Sequence, residues 1–276
     1  MNDKTLDLAY EHIHYRCNQI VHQYGDQVVL LSHPFYLSLL AKLCSPETKQ
    51  PQISHLVGKL YEGLFMAAIN MFVTREYRDI VTRMGSFHPE EGHFRGECLW
   101  EQASFAFVSL ARAGILPTQV CYELAHSYFE ADRLRQDHIY IGRRVNEKQE
   151  VIGVDLRGHK VGGDVCDRYV VIPDPMGATG GTVAHVLNFY KTQIQGPARM
   201  YLALHLIVTP EYLLRMKREH PDLLIVALRV DRGLSANSVL REIPGKNWAM
   251  EKGLNEHQYI VPGAGGVGEL LNNSFV

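Results

Sequence analysis

A short β-branched run, Val170-Val171-Ile172-Pro173-Asp174, meets a polar, glycine-containing turn, Pro175-Met176-Gly177-Ala178-Thr179-Gly180-Gly181-Thr182. The turn opens into the apolar-periodic segment Val183-Ala184-His185-Val186-Leu187. That pattern reads as strand, loop, helix start, the unit from which α/β sheets are built. Such a loop holds anions. The N–H groups of Ala178 through Thr182 lack intrahelical partners, Gly180 and Gly181 let the backbone come close, and Thr179 and Thr182 add hydroxyl donors. Asp174 stands just ahead of this nest, placed to accept hydrogen bonds from the hydroxyls of a sugar that carries the phosphate. The plainer alternative is a glycine-rich turn with no ligand.

Strand and helix patterns continue on both sides. Arg199 to Val208 reads as a strand, Pro210 to Glu219 as a helix, and Asp222 to Arg229 as another strand, so the chain is expected to form a mostly parallel sheet with ligands at the carboxyl ends of its strands. Upstream, the apolar strand from Ala103 leads to Arg112-Ala113-Gly114 and a helix from about Pro117 to Phe129. Asp137 to Gly142 is the next strand, Arg143 to Lys148 a turn into a second extended segment, and Arg157 to Asp164 a polar, glycine-rich arm. Residues 4 to 31 are expected to add a helix and the strand Asp26 to Leu31, ahead of helices over Phe35 to Leu43 and Gln52 to Val73. Between Asp79 and Gln102 only a loop at Met84 to His93 is legible, from turn formers at 85, 86, 89 and 92.

At 276 residues the chain can bury a large core. A net charge of −2 with 21% charged residues implies no bulk attraction to nucleic acid or anionic membrane. No apolar run reaches the roughly 18–20 residues that span a bilayer, and the polar N-terminus is unlike a signal peptide, so a cytoplasmic protein is expected. Five scattered cysteines with no C-x-x-C pair point to reduced thiols. Among the histidines, His12 with His14 and His88 with His93 lack further ligands nearby, so no protein-held metal is expected.

At Asp174-Pro175-Met176-Gly177-Ala178-Thr179-Gly180-Gly181-Thr182 the chain resembles the type I phosphoribosyltransferases, and within them the uracil phosphoribosyltransferases, whose loop reads Asp-Pro-Met-Leu-Ala-Thr-Gly-Gly-Ser/Thr. Weaker matches follow in order: His33-Pro34, Thr48, Thr74-Arg75, Arg112-Ala113-Gly114, Thr209-Pro210-Glu211 and His220-Pro221-Asp222. Near the C-terminus, Tyr259-Ile260-Val261-Pro262-Gly263-Ala264-Gly265-Gly266-Val267-Gly268-Glu269 resembles the family's Tyr-Ile-Val-Pro-Gly-Leu-Gly-Asp-Ala-Gly-Asp. Gly263, Gly265 and Gly268 also fit G-x-G-x-x-G, but no βαβ unit can follow so near the end. Gly266 stands where the family has its first aspartate and Glu269 where it has the second. No neighbour in the sequence obviously restores the missing carboxylate. Gly177 replaces the loop's leucine.

The resemblance implies one phosphoribosyltransferase-like α/β domain over 1–276, a mostly parallel sheet flanked by helices with N-terminal helices and a hairpin arm, carrying an extension at 1–32 and an insertion at 235–252. It implies transfer of a phosphoribosyl group from 5-phosphoribosyl 1-pyrophosphate to uracil, giving UMP and pyrophosphate in pyrimidine salvage, with magnesium carried on the substrate. Asp174 and Arg112 would be the catalytic residues. Arg112, Ala113 and Gly114, with Arg144 or Arg143, would take the pyrophosphate. Asp174 with the loop Pro175, Met176, Gly177, Ala178, Thr179, Gly180, Gly181 and Thr182 would hold the ribose and its phosphate. Ile260 and the backbone of Gly265, Gly266 and Val267 would face uracil. A homodimer or larger homo-oligomer is implied. The Gly266 departure leaves two alternatives open: a regulatory protein that binds phosphoribosyl pyrophosphate without turnover, or a transferase for another base.

Overall fold

The computed structural model describes residues 7–145 and 151–274. In chain order the elements are α1 (Leu8–Glu11), β1 (Val28–Leu30), α2 (Pro34–Cys44), α3 (Gln52–Phe72), β2 (Arg75–Val81), β3 (His93–Leu99), β4 (Phe105–Ala111) and α4 (Ile115–Ala125). They continue as β5 (Leu134–Val145), β6 (Val151–Lys160), β7 (Tyr169–Pro173), β8 (Met176–Gly177), α5 (Gly181–Gln193), β9 (Met200–Val208), α6 (Pro210–Glu219), β10 (Leu223–Val230), α7 (Asn237–Leu240) and α8 (Val267–Asn272).

Strands β4, β7 and β9 are apolar almost without a break, and nearly every residue in them is buried. Only a sheet covered on both faces can use such strands. The central sheet runs β1-β10-β9-β7-β4-β5-β6, with β8 added to β9; every pairing is parallel except the antiparallel β5–β6. Alternation within β4 divides the core into two layers. Phe105 and Phe107 turn toward α3 with Tyr61, Leu64 and Phe65, whereas Ala106, Val108 and Leu110 face α5 and α6 with Val186, Leu187 and Leu213. The expected α/β architecture with a mostly parallel sheet is the one observed.

Its connections diverge at one place. From β4 the chain crosses through α4 to β5 on one side, and from β7 it crosses through α5 to β9 on the other, although β4 and β7 are neighbours. In open α/β sheets the crevice beyond the strand ends at such a divergence is where ligands bind.

Elsewhere the sequence expectations need correction. The helix expected within residues 4 to 31 is a single turn, α1, and the segment after it reaches the sheet edge through an antiparallel bridge between Gln19 and Leu31. Around the expected Met84–His93 loop, β2 and β3 pair antiparallel, from Arg75 with Leu99 to Val81 with His93, as a separate two-stranded sheet. Neither strand buries one face cleanly, so no apolar alternation marked them. Arg143 and Arg144 are not in a turn: β5 continues through Val145, with Arg143 opposite Val154 and Arg144 opposite Gly153. The rest of that expected turn, at 146–148, lies outside the described residues. Residues 157–160 of the expected polar arm are the end of β6.

The segment 235–252 packs on the α6 side through buried Glu251, which accepts hydrogen bonds from Tyr24 Oη (2.6 Å), Arg232 Nη1 (2.8 Å) and Gly245 N (2.9 Å). Trp248 Nε1 donates to Pro210 O at 2.9 Å. Among the described residues no helix is long and apolar enough to cross a membrane.

Candidate functional site

Strand β7 delivers Pro173 and Asp174 to the crevice. Behind it, β8 and β9 stitch the glycine loop in place: Leu206 N and Ile207 N both donate to Pro175 O, Thr209 N donates to Gly177 O at 3.0 Å, and Thr209 Oγ1 donates to Ala178 O at 2.6 Å. The same Thr209 hydroxyl caps α6 by accepting from Tyr212 N at 3.0 Å. A β-carbon at Gly177 would stand 2.9 Å from Val208 Cγ1 and 3.1 Å from Tyr212 Cδ1, so the glycine is what lets the loop lie on the Tyr212 ring. Gly180 takes φ +76°, the left-handed region that favours glycine, and starts α5.

The nest is narrower than expected. Ala178 N–H donates to Met176 O at 3.0 Å, and Gly181 N–H approaches Thr179 Oγ1 at 3.4 Å. The N–H groups of Thr179, Gly180 and Thr182 have no acceptor among the described residues, and they open at the N-terminus of the 13-residue helix α5. A helix start with free N–H groups attracts a phosphate through both hydrogen bonding and the helix dipole.

Burial pushes the Asp174 carboxyl up from the ordinary value of 3.8 to about 6, with a backbone hydrogen bond from Met176 offsetting part of the rise. At neutral pH it is a desolvated carboxylate, a strong acceptor for sugar hydroxyls. Its own backbone is held from below. His205 Nδ1 lies 2.6 Å from Asp174 O, and His205 Nε2 lies 2.6 Å from Tyr212 Oη. A carbonyl only accepts, so Nδ1 carries the proton, Nε2 accepts, and the Tyr212 hydroxyl donates. Burial lowers the His205 pKa to about 4, which keeps this neutral tautomer. Sequence reading missed both residues, although one histidine inside Leu202-Ala203-Leu204-His205-Leu206-Ile207 is a polar interruption that a buried strand must satisfy.

Beside Asp174, β4 ends in Arg112-Ala113-Gly114. Gly114 packs against the end of β7: a β-carbon there would fall 2.9 Å from both Leu110 O and Pro173 O. Backbone atoms cannot swing aside, so Gly114→Ala is expected to lower unfolding stability by roughly 1–3 kcal/mol, read from the urea midpoint at unchanged slope. Arg112 is exposed, and its Nη1 donates to Ser274 Oγ at 2.8 Å and to Ser274 O at 3.3 Å, a contact no sequence signal marked.

The C-terminal signature closes the third side. Gly263 N–H donates to the buried Asp231 carboxylate at 2.7 Å, and Gly233 N–H to Val261 O at 3.0 Å. A β-carbon on Gly268 would touch that of Ala113 at 3.4 Å, so α8 lies on the Arg112 loop. Gly265 is exposed at φ +68° with open space beside it. Ile260 is half-buried against the core. Val267 N–H is not free, because it donates to Gly265 O at 3.1 Å, and the Val267 side chain is buried. Three expected groups therefore meet at the diverging strand ends: the Asp174 loop, the Arg112 loop and the 259–269 signature. The side chains of Arg143 and Arg144 lie outside the description.

A family model for uracil phosphoribosyltransferase matches residues 29–247. The chain belongs to the uracil phosphoribosyltransferase family. The match stops short of the 259–269 signature. Uracil phosphoribosyltransferase of Thermoanaerobacter sp. is 31% identical over 112 residues, 41% of this chain and 42% of that relative, so the chain spans less than half of its length. The same-named protein of Dictyoglomus turgidum is 25% identical over 244 residues, 88% of this chain and 98% of the relative. Among solved structures, the AQ2163 protein from Aquifex aeolicus shares the fold with a TM-score of 0.66 at 22% identity, over 88% of this chain and 97% of that one. The fold is type I phosphoribosyltransferase-like.

Proposed function

We propose that this protein transfers the phosphoribosyl group of 5-phosphoribosyl 1-pyrophosphate to uracil, releasing pyrophosphate and forming UMP, as in pyrimidine salvage. The observation that carries the reading is the meeting of an anion-binding helix start, a half-buried carboxylate and a guanidinium loop on the adjacent ends of β7 and β4. That set matches the substrate's parts: a 5′-phosphate, vicinal hydroxyls and a diphosphate leaving group.

In this reading Thr179, Gly180 and Thr182 N–H groups, with the threonine hydroxyls, hold the 5′-phosphate. Asp174 accepts hydrogen bonds from the ribose hydroxyls and faces the positive charge that grows at C1 as the C–O bond to pyrophosphate breaks. Arg112, beside Ala113 and Gly114, receives the diphosphate, whose negative charge increases as it leaves, and Arg143 or Arg144 on β5 adds a second guanidinium. A pyrimidine nitrogen bonds to C1 from the side of Ile260 and the Gly265–Val267 segment. Catalysis of this kind is mostly positioning and charge stabilisation.

Among the described residues no three His, Cys, Asp or Glu side chains converge as a metal cage. The crevice suits a magnesium ion that would arrive on the diphosphate, since Asp174 is the one carboxylate on the two loops and the substrate's own oxygens would be its main ligands. Such an ion supplies charge neutralisation to the leaving group. A cytoplasmic homodimer or larger homo-oligomer is part of the same reading. Exposed Tyr77, Val81, Phe87 and Phe94 on the β2–β3 hairpin support self-association.

The test is nucleotide formation from phosphoribosyl pyrophosphate, magnesium and each of uracil, cytosine, orotate and the purine bases. UMP from uracil alone is the expected product, with kcat/KM falling roughly a hundredfold in Arg112→Ala. No product with any base, alongside measurable binding of phosphoribosyl pyrophosphate, would leave a binding protein in place of a transferase.

A further inference from the structure

The space beside Gly266 is occupied by the carboxylate of another residue. Glu269 lies in α8, three residues beyond Gly266, and its side chain folds back over that glycine. A β-carbon built on Gly266 falls 2.5 Å from Glu269 Oε2 and 3.1 Å from Glu269 Cδ. The volume that a side chain at 266 would fill is therefore taken by the Glu269 carboxylate. The backbone supports this placement, since Glu269 N and Leu270 N both donate to Gly266 O, at 2.9 and 3.0 Å. Glu269 is half-buried, and among the described residues no ion pair ties it down.

Its neighbours put that carboxylate beside the crevice. Val267 turns into the core and Gly268 rests on Ala113 of the Arg112 loop. Leu270 and Leu271 pack on the α3 layer. Glu269 is left facing the 265–266 turn, where Gly265 is exposed and has open space beside it. At the far end of α8, Ser274 holds the Arg112 guanidinium. One short helix thus spans the base side and the diphosphate side of the site.

We propose that Glu269 supplies the acidic group that faces the pyrimidine, accepting a hydrogen bond from a ring N–H, and that residue 266 is glycine because this carboxylate occupies its side-chain volume. The inference rests on the phosphoribosyl-transfer reading above. An ionised carboxylate only accepts. Uracil offers a ring N3–H between two carbonyls, whereas the N3 of cytosine is a bare acceptor, so the carboxylate favours uracil by pairing with one and opposing the other. Glu269 is in this sense a specificity-determining residue.

Steady-state kinetics with uracil and phosphoribosyl pyrophosphate varied separately, together with calorimetric binding of UMP, test the proposal. Glu269→Gln is expected to lower kcat/KM for uracil roughly 10- to 100-fold, the scale of one hydrogen bond to a charged group, and to weaken UMP binding, while the KM for phosphoribosyl pyrophosphate stays within about twofold. Gly266→Ala should reproduce the loss, because its methyl displaces the carboxylate. The double variant Gly266→Asp with Glu269→Ala, in which truncation at 269 clears the space beside residue 266, returns a carboxylate to the same place and should recover most of the activity, a rescue that a purely structural role for Glu269 does not predict. Wild-type turnover of uracil with Glu269→Gln unaffected, or a double variant no better than the single one, overturns this inference and leaves the transferase reading standing. Absence of any UMP from the wild type removes that reading instead. UMP binding then decides: weaker binding by Glu269→Gln sustains the base-facing carboxylate, and equal binding ends it.

Discussion

Asp174→Asn is expected to cost at least about a hundredfold in nucleotide formation while making the free protein more stable at pH 8. The loss follows from replacing an ionised acceptor of ribose hydroxyls with a neutral amide, because hydrogen bonds to a charged group contribute roughly 1.5–3 kcal/mol each. The gain follows from burial. Burial raises the Asp174 carboxyl from 3.8 to about 6, so the folded state prefers it neutral. Its stabilising contribution is present below the ordinary value and is lost as pH rises through about 6. Above that range the buried charge costs roughly 2–3 kcal/mol, which the amide avoids. Thermal melts of the two proteins from pH 8 down to pH 4 measure this, and the advantage of the variant should shrink as pH falls. An advantage that is constant with pH would mean that the carboxylate is not the source.

His205→Leu is expected to be the most destabilising of the substitutions considered. It removes the donor to Asp174 O and the acceptor for Tyr212 Oη at once, and His205 and Tyr212 are fully buried. Two orphaned polar groups in the interior cost roughly 3–5 kcal/mol together. The pH dependence has the opposite sign to that of Asp174. Burial depresses the folded-state value of His205 from 6.5 to about 4, so its contribution is present above 6.5 and is lost as pH falls toward 4. That loss amounts to roughly 3 kcal/mol by linkage. In the wild type the two trends partly cancel between pH 4 and 6.5. Removing either partner uncovers the other: Asp174→Asn should lose stability more steeply in acid, and His205→Leu should gain. Urea midpoints at pH 7.5 and pH 5 separate the cases, and parallel trends in both variants would refute the assignment. Phosphoribosyl pyrophosphate should also bind His205→Leu more weakly, because the peptide that carries Asp174 loses its support.

Periodicity carried much of the local structure. The strand, loop and helix over residues 170–187 stand where their β-branched run and glycines placed them, and α6 spans Pro210–Glu219, the bounds read from the sequence. In contrast, β2 and β3 went unread because their two faces are similarly half-exposed, and the two-residue β8 exists only through its pairing with β9. At the site, Gly180 and Gly181 marked a loop that a ligand can approach closely, whereas nothing local showed that Ala178 N–H was already bonded or that Val267 N–H was turned inward.

By itself the sequence determined the elements that depend on near neighbours: apolar period, glycine positions and the residue types of an anion-binding loop. Those are governed by backbone hydrogen bonds and side-chain burial within a turn or a strand. Only the tertiary structure decided which strand ends stand side by side, that α8 returns to Ala113, that His205 supports Asp174, and that Glu269 fills the place left at Gly266. Each of these joins residues far apart in the chain or turns on the direction of one side chain. The pairing of distant surfaces, chosen by the packing of both faces of the sheet together, leaves no periodic trace in either segment.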